Sequence, residues 1–245
     1  MGTLQKCYEA RELNKLKLLL ELGHDPNEMN EFIIDEVNSY VDLEEHIQLI
    51  GLVLDYGSDI NNNNRLLHYI DGAGTPLIYI KLAELLIKKG VIIYSKDNYG
   101  NTLLHKLTNV SILELLVSNQ ADVNAKNNKN ETPVFRLSKL PPDYYNIKTL
   151  IFFIQADTDF YVRNTEGLTF LHKVIIENEA AHKILKWLIK YKPDINLNIC
   201  DAQGATPLHH AYKHKKDECI NFLIANGADI NSTDINGLKP HEWAK

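Results

Sequence analysis

The stretch Ala205–Lys215, ATPLHHAYKHK, gathers His209, His210 and His214 on one short predicted helix, the densest group of potential ligands in the sequence. His210 and His214 stand four residues apart and share a helix face, a spacing that zinc sites exploit. Lys213, Lys215 and Lys216 crowd the same segment, and no carboxylate stands at a matching spacing. Nearby positive charge opposes cation binding. The expectation is therefore no metal, with His210 and His214 solvated. The acidic run Asp42–His46 reads as a solvated loop entering a helix, with Asp42 as its cap. A Gly-rich phosphate loop, a Cys–His signature and a Ser-centred elbow are all missing from the sequence, so neither a catalytic site nor a cofactor is expected.

The elements that carry these residues recur. Segments such as LLELGHDPN (19–27), LVLDYGSDIN (52–61), LLVSNQADVN (115–124), LIKYKPDIN (188–196) and FLIANGADIN (222–231) share one pattern, and weaker copies end at Tyr94 and Asp159. The seven copies end at residues 27, 61, 94, 124, 159, 196 and 231, a mean spacing of 34. A fixed period of this size is the mark of a repeat array. A second motif keeps step: GNTLLH (100–105), NETPVF (130–135), GLTFLH (167–172) and GATPLH (204–209). Thr before Pro starts a helix, with the hydroxyl as N-cap and the imide where no N–H is needed. Paired Leu before Gly marks the buried end of a second helix and its left-handed cap.

These two motifs resemble the ankyrin repeat, over nearly the whole chain and most closely from about residue 97 onward. The resemblance implies an all-α solenoid, an ankyrin repeat array of helix–turn–helix units with β-hairpin fingers. About seven repeats plus a C-terminal half-repeat are expected, as one domain over 1–245. The approximate units are 1–28 (N-terminal cap), 29–62, 63–96, 97–126, 127–161, 162–200, 201–233 and 234–245 (partial cap). The last of these reads either as a native cap or as a cut in a longer protein. His209 takes the position where the family ties one loop to the next, and His68, His105 and His172 follow it. Such units are too small to bury their own apolar stripe, so neighbours share the core.

Departures from the pattern are expectations in themselves. Gln120, Gln155 and Lys192 replace the capping Gly, at about 1 kcal/mol each where a left-handed residue is required. Ile92 and Ile93 imply a more buried turn. Asp71–Pro76 and Pro141–Asn146 read as enlarged loops, and the finger after Asn61 as truncated.

Composition bounds the function. The 245 residues are 44% apolar and 24% charged, as in ordinary globular proteins, and carry a net charge of −6, which disfavours nucleic acid as the main partner. No apolar run approaches the roughly 18 residues of a membrane span. Three cysteines without metal-type spacing, and no signal segment, point to reduced thiols in the cytoplasm. Lys6 stands where a myristoylation motif wants Ser or Thr.

The resemblance places partner binding on the finger tips and the concave first-helix surface. The residues after the motif His positions are Lys106, Arg136, Lys173 and His210, and one turn on come Lys139 and Lys213. They are expected to form a basic stripe for an acidic segment of a partner protein, with Tyr99, Tyr144 and Tyr145 as anchors. The family also implies Asn124 and Asn231 as substrates of an asparaginyl hydroxylase, each with Leu eight residues earlier. The expected function is a monomeric, non-catalytic protein–protein interaction scaffold. The alternative is the targeting module of a bacterial or viral host-interaction effector whose activity lies elsewhere in a longer chain.

Overall fold

The structure, a computed structural model, describes residues 3–10, 12–29, 43–58 and 77–244. The expectations for Asp42, for His68, for the finger after Asn61 and for the loop Asp71–Pro76 lie outside the described residues. The chain divides into two compact units, one of residues 1–97 and 111–121 and one of residues 98–110 and 122–245.

The first unit contains α1 (Thr3–Glu9), α2 (Leu13–Glu21), α3 (Leu43–Asp55), α4 (Leu77–Lys88) and most of α5 (Val110–Ser118). Leu4, Leu16 and Met29 are fully buried where α1, α2 and the short 3₁₀ turn Pro26–Met29 meet. Ile50, Val53, Ala83 and Leu86 form the buried stripes of α3 and α4, and Lys89 and Asp55 pair at the ends of these helices.

Helix ends repeat one bond. After α2, α3, α4 and α5 the chain enters the left-handed region at Gly23, Gly57, Gly90 and Gln120. The next N–H then reaches back to Leu19, Val53, Leu86 and Leu116 in turn. The same bond in the second unit runs from Thr158 to Phe153 and from Ala228 to Leu223, around Asp157 and Gly227. Two sequence expectations change here. Gln155 is the last residue of its helix, and the left-handed residue is Asp157 at φ 56°. Lys192 has φ −135° and needs no glycine. Gln120, at φ 70°, stands as expected. Ile93 is buried, whereas Ile92 is exposed.

The second unit holds the 3₁₀ turns Leu103–His105 and Pro133–Ser138, α6 (Tyr144–Gln155), α7 (Phe170–Glu177), α8 (Ala181–Tyr191), α9 (Pro207–Lys213), α10 (Asp217–Ala225) and a final 3₁₀ turn, Pro240–Trp243. First helices pack on first helices and second on second, α7 against α9 and α6 against α8. Phe135, Phe153, Phe160 and Phe170 fill the core, with Phe170 edge-on to both Phe135 and Phe160. The array is helical, and among the described residues there is no strand.

Each finger is instead a tight turn built on one Asx side chain. Oδ1 of Asn127, Asn164, Asp201 and Asp234 accepts the N–H groups two and four residues on. Asn127, Asn164, Asp201 and Asp234 also donate their own N–H to the carbonyl four residues ahead. The fourth residue is left-handed: Asn130, Gly167, Gly204 and Gly237. At Gly167 a Cβ would meet that of Ala202 at 2.3 Å, so only glycine fits. Neighbouring fingers join through backbone bonds from Asn128 to Tyr99, Thr165 to Lys129 and Ile235 to Gln203.

Candidate functional site

The Thr-x-x-His boxes use their histidines as ties. Thr102, Thr169 and Thr206 are extended N-caps, and each donates its N–H to Nδ1 of His105, His172 or His209 at 3.0–3.2 Å. With Nδ1 accepting, Nε2 carries the proton and donates to the carbonyl of the next finger. The acceptors are Glu131, Ala205 and Leu238, at 3.0–3.1 Å. One ring thus satisfies a helix start and links it to the adjacent repeat. In the terminal box Glu242 does the first half of this work, accepting from Lys239 N–H at 2.6 Å.

His210 is where the structure corrects the sequence most sharply. It is not solvated: it is 6% exposed, and its Nε2 lies 2.8 Å from Asp201 Oδ2. His172, Asp201 and His210, all buried, offer ligand-type atoms within 4.8 Å of one another. Asp201 lies nine residues before His210, outside any helical spacing, and the finger fold brings it there.

Apart from His210 Nδ1, the ligand-type atoms of this cluster are already committed to protein bonds. His172 holds Thr169 and Ala205, and Asp201 holds Gln203, Ala205 and His210. A metal ion would have to break the tie between two repeats. His210 Nδ1 is buried without a partner, so neither a hydroxyl nor a thiol completes a catalytic triad on it. Burial, with His210 beside it, pushes the His172 pKa down to about 4. Burial also lowers that of His210, against the pull of Asp201. Burial raises Asp201, but the bonds from His210 and two backbone N–H groups outweigh it and hold the carboxyl below its usual range. His214 is exposed, as expected.

The expected basic stripe is only partly a surface. Lys173 is 7% exposed, with Nζ 2.7 Å from Glu177 and 3.7 Å from Glu166. Burial would lower its pKa, yet Glu177 keeps it above the usual lysine value. Lys139 is exposed and lies 3.9 Å from the same Glu177. Lys106 and Arg136 are half-buried, and Lys213 is exposed with its ammonium 5.2 Å from the Trp243 ring. Lys173 and His210 therefore leave the set of available contacts. The Lys173–Glu177 pair was legible as an i, i+4 spacing.

Arg136 and Lys139 come together at a groove of about 310 Å³, lined also by Asn101, His105, Asn127, Glu131, Thr132, Phe135 and Leu140. The groove lies at the repeat whose motif ends in Phe instead of His. Thr132 Oγ1, fully buried, has no partner there.

The tyrosines are elsewhere. Tyr99 is an exposed finger residue, 74% accessible. Tyr144 and Tyr145 are not in a loop: Asp143 caps α6 by accepting Asn146 N–H at 2.9 Å, and the two rings form its first turn. They stand on a second helix, apart from the first-helix cations. Asn124 is held between fingers, its Oδ1 accepting Asp159 N–H at 2.8 Å. Asn231 Oδ1 accepts from Lys239 Nζ at 3.2 Å.

The sequence is similar to those of known proteins. The profile described as "Ankyrin repeats (3 copies)" matches residues 143–234, and that described as "Ankyrin repeat" matches residues 99–128. An ankyrin repeat protein of Fowlpox virus (strain NVSL) is 31% identical over 159 residues, 60% of this chain and 44% of that protein. Inversin of Canis lupus familiaris is 31% identical over 185 residues, 69% of this chain and 17% of its own length. An ankyrin repeat protein of Acanthamoeba polyphaga mimivirus is 26% identical over 163 residues, covering 63% and 20%. The chain thus spans less than half the length of each of these relatives.

Proposed function

The chain belongs to the ankyrin repeat family, and on that premise we propose that it is a non-catalytic scaffold that captures a protein partner on its first-helix face and finger tips. Ankyrin repeats generally mediate protein–protein interaction. The observation that carries the reading is the groove of about 310 Å³ that Arg136 and Lys139 line together with Glu131, Phe135 and Leu140. Two cationic side chains against the one carboxylate of Glu131, beside Phe135 and Leu140, fit an acidic side chain with an apolar neighbour, the combination that gives a contact both steering and burial. Tyr99 adds an exposed ring on the finger side.

The test is charge reversal of Arg136 and Lys139 together in the full chain. Lys173 is unsuited to it, because a carboxylate there would be buried against Glu177. The variant should stay folded, with a thermal midpoint lowered by no more than about 5 °C, and lose about tenfold in affinity for a partner captured by the parent, as should the milder double glutamine variant. Capture of the same proteins at the same strength by both forms would sink the reading.

A second reading rests on the length of the relatives. In it, the array is the targeting module of a viral or bacterial host-interaction effector, with activity in a further part of a longer chain. Hydroxylation at Asn124 and Asn231 is a separate proposal, tested by a 16 Da gain per site in intact mass after exposure to an asparaginyl hydroxylase. At Asn124 the reaction requires release of the Asp159 bond.

A further inference from the structure

α6 and α8 pack side by side, and their solvent sides share an unusual composition. Lys148 is exposed on α6, and Lys183, Lys186 and Lys190 are exposed on α8 at the i, i+3, i+7 spacing of a single helix face. Neither helix contains an Asp or Glu, although the whole protein carries a net charge of −6. Among the described residues none of these four ammonium groups is paired with a carboxylate. The carboxylate of Glu218 stands exposed at the edge, with Oε2 2.9 Å from His182 Nδ1 but without hydrogen-bond geometry. The first-helix side is the opposite case, since Lys173 and Lys139 share Glu177.

Aromatic rings are interleaved with the lysines. Lys148 Nζ lies 4.4 Å from the centroid of Tyr144, which is 66% exposed and edge-on to Tyr145. Trp187 and Tyr191 stack at 5.8 Å with their planes 12° apart, and Lys190 lies 4.7 Å and 5.2 Å from the two rings.

We propose that the outer face of α6 and α8 is a peripheral docking surface for an anionic lipid bilayer. Composition decides between lipid and protein. Protein interfaces enrich Trp and Tyr but deplete Lys, whereas the bilayer–water boundary takes both, the rings at headgroup depth and the ammonium groups on anionic lipid. Among the described residues no helix is long and apolar enough to cross a membrane, so the contact is surface attachment. Each lysine near an anionic surface contributes a factor of about five to partition, so four give several hundredfold at low salt. The surface does not depend on the first-helix groove.

The experiment is co-sedimentation of the full chain with phosphatidylcholine vesicles, with and without about 30% phosphatidylserine, and with soluble polyglutamate as the protein-like polyanion. The expected result is several hundredfold enrichment on the anionic vesicles, loss of it in K183E/K186E/K190E and in the milder glutamine triple variant, and retention in R136E/K139E. Trp187 emission should shift to the blue on binding, and W187F should remove that shift. Equal partition onto neutral and anionic vesicles overturns the proposal. So does equal loss in the R136E/K139E variant, which would mean diffuse charge. Binding to polyglutamate without binding to vesicles also overturns it and assigns the face to an acidic protein segment.

Discussion

At Thr206 a buried hydroxyl meets His209 Nδ1 at 2.9 Å, and the ring's other nitrogen reaches Leu238 O. Two repeats earlier, at Thr132, the equivalent hydroxyl meets nothing, because Phe135 fills the ring's place. The same two repeats differ at their turns. Gly204 and Gly227 are left-handed in one, whereas Asn130 and Asp157 are left-handed in the other, at φ 58° and φ 56°. The backbone is conserved through all three changes. What holds the Phe135 repeat is apolar contact with Phe170, at 6.2 Å between centroids, and Asn178, which donates to Ser138 O and Leu140 O. Family geometry thus tolerates exchange of a polar tie for packing, and the exchange coincides with the groove beside Arg136 and Lys139.

Swapping the decisive side chain should break the comparison most strongly. His209→Phe strands the Thr206 hydroxyl and removes the donor to Leu238 O in a fully buried site, His209 being 0% exposed. We expect a loss of about 2–4 kcal/mol in chemical denaturation. The reverse change, Phe135→His, supplies a partner for Thr132 but forfeits ring burial, and should stay within about 1.5 kcal/mol of the parent. Equal costs in both directions would show that the tie has no energetic asymmetry.

Acid should separate the two repeats next. The folded pKa values of His172 and His210 lie below the ordinary 6.5, so below that pH the unfolded chain binds protons that the fold excludes. Stability is therefore full above pH 6.5 and falls as the pH drops toward about 4, the His172 value. The Asp201 contribution is lost only at lower pH, as its depressed carboxyl titrates. Between pH 7 and pH 4.5 the melting point should fall by roughly 5 °C. Hydrogen exchange corrected for intrinsic rate should show opening in residues 199–213 before 130–140. Simultaneous opening would refute the assignment.

The smallest effect sharpens the turn comparison. Asp157→Gly releases a left-handed strain that Gly227 does not carry, and should raise stability by about 1 kcal/mol or less. Asn130→Gly should gain less, because Asn tolerates this conformation and its side chain donates to Arg163 O. A destabilised Asp157→Gly would mean that the carboxylate has a role beyond the turn.

Much of the fold was legible because its determinants are local. Thr and Pro start helices, Gly and Asn close turns, and paired Leu marks the buried ends, all within a few residues of where they act. The copy ending near Asp159 shifted by two residues because Asp157 gives no glycine signal. Tyr144 and Tyr145 read as loop after Pro141–Pro142, and only the Asp143 cap shows that the helix has begun.

The sequence by itself determined the repeat period and the helical class, because short motifs recur at a fixed spacing, and the resemblance they carry marked the histidines that tie one repeat to the next. Only the tertiary structure decided which charges are surface. Asp201 reaches His210 through the turn of a finger, Glu177 lies between Lys139 and Lys173, and the four lysines of α6 and α8 face solvent without a carboxylate. The value of a charge depends on burial and on partners within a few ångströms, and stacking sets both.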